Sequence, residues 1–144
     1  MLRNIEGAVR SDDSGFSLIE LLVITVVIGI LAAIAIPAFL GNREKAQDSE
    51  AKSAVRVAAT TAKAYFADKD TFVGMTAASL RKIEPSLGQG QGATLSVRSA
   101  SAIGYRLRVS SKTSNRFSIS ERLGVTTRTC TASGKAGCPT GGNW

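Results

Sequence analysis

The 144-residue chain contains no histidine and only two cysteines. An imidazole general base, a His-ligated zinc site and a four-cysteine zinc site are therefore excluded. Cys130 and Cys138 have seven residues between them, so there is no Cys-x-x-Cys redox pair. Any catalysis would rest on Lys, carboxylates, Ser or a lone thiol, and no constellation of these stands out. The expectation is a non-enzyme without cofactor or metal. A nucleotide-binding loop and Asn-x-Ser/Thr sequons are absent as well. The length sets a ceiling of one ordinary domain.

Charge of one sign is scarce in the last half. Residues 71–144 hold ten basic residues against Glu84 and Glu121, net +8. Residues 16–70 balance six basic with six acidic residues, and residues 1–15 are net −1. Three segments with three electrical characters suggest three jobs.

From Leu21 to Asn42 there is no charge at all: LLVITVVIGILAAIAIPAFLGN. At ~1.5 Å per residue, about twenty such residues span a ~30 Å hydrocarbon core. A helix apolar all round needs burial on every side. A secretory signal peptide would use Ala33-Ile34-Ala35 as its cleavage site, but the preceding segment is net acidic rather than basic. A plain single-pass anchor explains the length and not Glu20. The third reading is a segment that sits first in a membrane and later against copies of itself. A carboxylate at the mouth of such a helix is costly unless compensated. The helix N-terminal dipole supplies part of that compensation. A cut between Gly15 and Phe16 would supply a free α-amine close by, from the same chain or a neighbouring copy.

Gly15-Phe16-Ser17-Leu18-Ile19-Glu20 followed by the apolar run resembles the class III signal of type IV pilins and their relatives, over about residues 14–66. The resemblance implies that a prepilin peptidase cuts after Gly15 and that Phe16 becomes N-methylated. It implies that Glu20 guides subunit docking and neutralises a neighbouring N-terminus, and that Gly29 and Pro37 are the helix-weakening positions of the stem. The family often has Lys or Arg before the glycine, whereas here Ser14 follows Asp12-Asp13. Arg43, Lys45, Lys52 and Arg56 follow the span against Arg3 and Arg10 before it, which by the positive-inside rule alone favours a cytoplasmic C-terminus. The resemblance places the C-terminal part outside the cytoplasmic membrane, and that orientation is adopted.

After Asn42 the sequence stays helix-friendly, with no Pro or Gly from Arg43 to Val73. Ala51, Val55, Ala58, Ala62 and Tyr65 recur at three-to-four spacing, with Ala54 and Phe66 beside them, forming one apolar stripe. Asp48 and Lys52 have the spacing of an i,i+4 ion pair. A helix from Phe16 to Phe66 would be ~75 Å long. Pro37 inside it costs ~3 kcal/mol and Gly29 ~1 kcal/mol. The outcome is either a bent membrane helix or, as the resemblance implies, a stretch that unwinds when subunits pack or a filament is pulled.

Asp68-Lys69-Asp70 ends the stem. Thr76 caps a short helix that Pro85 stops. Gly88–Gly92 reads as a loop. Three strands then follow with period two: Leu95 and Val97; Tyr105, Leu107 and Val109; Phe117 and Ile119 share the inward face. Ser111–Asn115 makes a hairpin loop, and the tail from Cys130 to Trp144 reads as Gly-rich loop. The expected fold class is α+β: a long N-terminal stem packed in its second half against a small antiparallel sheet. The expected organisation is a leader at 1–15, a transmembrane or filament-core helix at 16–42, its amphipathic continuation at 43–70 and a basic head at 71–144. A Cys130–Cys138 bridge would add roughly 2–3 kcal/mol to this small core, and an exported head meets the oxidising setting in which it persists.

Alternation puts Arg98, Arg106, Arg108 and Arg116 on the solvent side of the strands. They are either a solvated face or a site for an anionic partner such as DNA backbone, acidic polysaccharide or a teichoic-type polymer. No aromatics are interleaved on that face, so base stacking is not indicated.

The leading expectation is a structural subunit, membrane-anchored before assembly, that polymerises with itself into a type IV pilus serving adhesion, motility or DNA uptake. Its implied partners are membrane lipid, the prepilin peptidase, an inner-membrane assembly platform and other copies. The alternatives are a pseudopilin of a type II secretion system and a DNA-binding competence pilin. The resemblance implies an acidic calcium site near the C-terminus of major pseudopilins, and this sequence has no Asp or Glu after Glu121.

Overall fold

A computed structural model describes residues 16–88 and 93–144. The expectations for residues 1–15, Gly15 included, and for most of the Gly88–Gly92 loop lie outside the described residues. The chain divides into two compact units, Met1–Pro37 and Ala38–Trp144. Helix α1, Leu18–Lys69, contributes residues to both.

In the first unit the helix starts on Ser17, whose carbonyl accepts from the Glu20 and Leu21 N–H groups at 3.0 and 3.1 Å. Thr25 returns its hydroxyl to the Leu22 carbonyl at 2.9 Å, so its polarity is absorbed by the helix itself. The large apolar side chains of this unit are exposed on every side, as are Phe39 and Leu40 beyond it. The helix is long and apolar enough to cross a membrane.

In the second unit α1 buries one stripe: Ala51, Val55, Ala58 and Ala62, with Asp48 and Thr61. Tyr65 and Ala54 are half-buried beside it. The small side chains allow the backbone to lie close against a sheet. The helix ends where Asp70 turns left-handed, φ 53°, its N–H still donating to the Phe66 carbonyl. Helix α2, Ala77–Ile83, is capped by Thr76, and its Leu80 is fully buried. Four strands then form an antiparallel meander: β1 Thr94–Ser101, β2 Gly104–Ser110, β3 Arg116–Arg122 and β4 Val125–Cys130. Leu95, Leu107, Val109, Phe117 and Ile119 form the core with the alanine stripe. Burying Phe117 completely contributes about 2–3 kcal/mol. The architecture is the expected α+β, type IV pilin-like one.

Two expectations are corrected. The sheet has four strands rather than three, the fourth formed by residues 125–130 and ending at Cys130, where the tail loop was expected to begin. Val-Thr-Thr-Arg-Thr has the β-branched composition of a strand but no apolar alternation. β4 is almost wholly exposed, so it is held by its ladder to β3 and not by burial. The proposed Asp48–Lys52 pair does not form. Asp48 is buried and bonded elsewhere, while the Lys52 ammonium stands over the Phe117 and Trp144 rings at 5.4 and 5.8 Å.

Candidate functional site

In the first unit, Phe16 is exposed and Glu20 stands in the first turn of α1, also exposed. Glu20 makes no ion pair among the described residues. A Cβ added to Gly29 would meet nothing within 4 Å, so no packing within the chain demands a glycine there. Pro37 lies inside α1 and leaves the helix one N–H short, and the helix continues through it.

In the second unit the disulfide is formed: Cys130 and Cys138 are bonded, with Cα atoms 5.8 Å apart. It holds a loop whose Gly137 N–H donates to Asp48 Oδ2 at 2.9 Å. A Cβ at Gly137 would collide with the Asp48 side chain, so glycine is required by that close approach. The Thr113 hydroxyl donates to Asp48 Oδ1 at 2.5 Å and the Asn115 amide donates to Oδ2 at 2.6 Å. One fully buried carboxylate thus ties α1 to the β2–β3 loop and to the disulfide loop. Burial pushes the Asp48 carboxyl upward. The hydrogen bonds from Thr113, Asn115, Ser111 and the Gly137 backbone outweigh it and hold the group below its ordinary value.

A second polar contact joins the helix to the sheet. The Tyr105 hydroxyl donates to Glu121 Oε2 at 3.1 Å, and Lys63 Nζ stands 3.6 Å from the same oxygen. Burial first, then the Glu121 charge, raises the Tyr105 hydroxyl well above its ordinary value. At the other end, Trp144 donates to the Thr129 carbonyl at 2.9 Å and sets its ring edge-on to Phe117. Arg56 and Arg128 stand 5.0 and 5.8 Å from the Trp144 ring centre. No local pattern signals that the tail closes back on α1.

The register separates the two sheet faces. Tyr105, Leu107 and Val109 pair with Glu121, Ile119 and Phe117, all on the stem side. Arg106, Arg108 and Arg116 take the opposite face, as alternation requires. Arg106 and Arg116 are exposed; Arg108 is half-buried, its Nε donating to Ser118 Oγ at 3.4 Å. Arg98 is exposed but falls at a bulge between Val97 and Ser99, out of register with the other three. Arg122, paired across from Gly104, joins the outer set and was not anticipated.

Residues 10–36 match the family described as the prokaryotic N-terminal methylation motif. The type IV major pilin protein PilA of Myxococcus xanthus is 45% identical over 58 residues, 40% of this chain and 26% of that protein. The type IV major fimbrial protein FimA of Dichelobacter nodosus is 37% identical over 75 residues, 49% of this chain and 48% of that protein. The type II secretion system core protein G of Aeromonas hydrophila is 48% identical over 40 residues, 28% of each chain. The chain therefore spans about a quarter to a half of the length of these relatives. The chain thus carries the methylation motif and a type IV pilin-like fold.

Proposed function

We propose that this type IV pilin-like chain is a prepilin whose mature form polymerises through its apolar helix into a type IV pilus. The observation that carries the reading is the uncovered apolar helix headed by Glu20, within a matched methylation motif. Before assembly the helix is held in the cytoplasmic membrane with the head outside. A prepilin peptidase cuts between Gly15 and Phe16, and Phe16 is N-methylated. The assembly platform then passes the subunit from lipid to filament, where copies cover one another's apolar helices. Glu20 accepts the charge of a neighbouring terminal amine, which would otherwise be buried unpaired. Gly29 and Pro37 let the stem loosen as it packs.

The likeness to core protein G supports a second reading, a pseudopilin of a type II secretion system. The Cys130–Cys138 bridge and the lack of any carboxylate after Glu121 favour the pilus. Deleting the chain from its host and imaging the surface separates the two. The pilus reading expects filaments that disappear, return on complementation and bind an antibody raised against the head. Unchanged, unlabelled filaments with arrested protein secretion would establish the pseudopilin instead.

A further inference from the structure

The outer face of the sheet carries a single sign of charge. Arg106, Arg108, Arg116 and Arg122 share it. The four strands contain one carboxylate, Glu121, and it faces the stem, where Tyr105 and Lys63 engage it. None of the four arginines makes an ion pair among the described residues. Arg106 and Arg108 are two apart on one strand, so like charges sit side by side with nothing between them to relieve the repulsion. Ordinary solvated faces mix signs to avoid this field. From Arg116 to Arg122 along β3 the arginines extend over about 20 Å.

One end of this row is concave. Arg106, Arg122, Ser99, Ser101 and Ser120 line a hollow of about 510 Å³ at Gly104, which Glu121 also borders while its carboxylate is engaged by Tyr105 and Lys63. Gly104 is held so close to β3 that any Cβ would clash with the Glu121 carbonyl. Register sets Arg106 between Ser99 and Ser120, and Gly104 between Ser101 and Arg122. Two arginines and three serines thus border one hollow. Guanidinium forks match planar or tetrahedral anionic groups through paired hydrogen bonds.

We propose that this hollow and the arginine row beyond it bind an acidic polysaccharide. Its carboxylate or sulfate groups pair with Arg106 and Arg122, and its sugar hydroxyls pair with the serines around them. The hydroxyl content of the face separates this ligand from nucleic acid. Tyr105 and Phe117 both turn to the stem, leaving no ring on the outer face of β2 or β3 for a base to stack on. The hollow lies within one chain, so the inference stands independently of polymerisation.

The test titrates the full chain, solubilised in detergent, with polygalacturonate, neutral dextran and duplex DNA at matched salt. Polygalacturonate is expected to bind, to weaken as salt is raised, and to bind more tightly than DNA. Dextran is expected not to bind. Arg106→Gln with Arg122→Gln should weaken polygalacturonate binding at least about tenfold. Arg81→Gln with Lys82→Gln removes the same charge from the exposed side of α2 and should change it less than about twofold. Exposed substitutions of this kind shift stability by under ~0.5 kcal/mol, and a thermal melt verifies that the fold is kept. Should the paired variant melt early, Arg122→Gln alone serves, with a loss of several-fold expected. Equal losses in the two pairs, tighter binding of DNA, or no polygalacturonate binding at low salt would overturn the proposal.

Discussion

One helix serves two regions that solve the burial problem in opposite ways. Around Asp48–Ala62, α1 presents small side chains, and Ala51, Val55, Ala58 and Ala62 join one buried cluster with the sheet. From Leu21 to Leu40 it presents large branched side chains, and none is covered; Ile34 is 70% exposed. The head therefore carries the information for its own packing. The apolar stem carries a surface that none of the described residues covers, and exposed apolar patches of this extent mark an interaction site. The difference also fixes tolerance. A stem held by lipid or by copies of itself requires apolarity, whereas the head requires shape and hydrogen bonds at named positions.

The largest effect that would break this comparison lies in the stem. Glu20→Ala should leave processing intact and abolish filament assembly, because a buried amine without a counter-charge costs several kcal/mol per subunit. Normal filament yield from this variant would remove the pairing from the account. In the head, Asp48→Ala should destabilise by about 3–5 kcal/mol, since the Thr113, Asn115 and Gly137 donors would be left buried and unpaired. Chemical denaturation checks this. The Asp48 carboxyl is held low in the folded state, so its contribution is complete above the unfolded value near ~4 and is lost as pH falls below that. Stability should accordingly drop as pH falls below about 4, and less steeply in Asp48→Asn. Replacing Cys130 and Cys138 together by Ser should cost roughly 2–3 kcal/mol in the same assay. Ala58→Leu should cost about 1–3 kcal/mol by overpacking the helix–sheet contact. Val27→Leu, on the stem, should leave head stability within ~0.5 kcal/mol of the parent.

The legible parts of the fold were those written as periodicity. The alanine stripe, the Thr76 cap, three alternating strands and the Ser111–Asn115 hairpin stood where the pattern placed them. The fourth strand was not legible, because an edge strand without a buried face has no alternation to show. Asp48 was misread because local spacing offered Lys52, while its true partners are 65, 67 and 89 residues away. A carboxylate in line with Ala51, Val55, Ala58 and Ala62 was the available signal, since the stripe that predicts burial passes through it. Alternation placed Arg106, Arg108 and Arg116, and missed the bulge that displaces Arg98. Arg122 escaped because it lies at the last residue of β3 beside the turn. The Trp144 contacts depend on long-range closure that no local pattern encodes.

The central claim is that the uncovered helix is a processed assembly element rather than a permanent anchor or a discarded signal. Mass spectrometry of the chain recovered from surface filaments tests it most directly. The account predicts an N-terminus at Phe16, one methyl group heavier than the free amine, with the whole apolar helix retained. Filament-derived chain that begins at Met1, or after Ala35 with the helix removed, would contradict it.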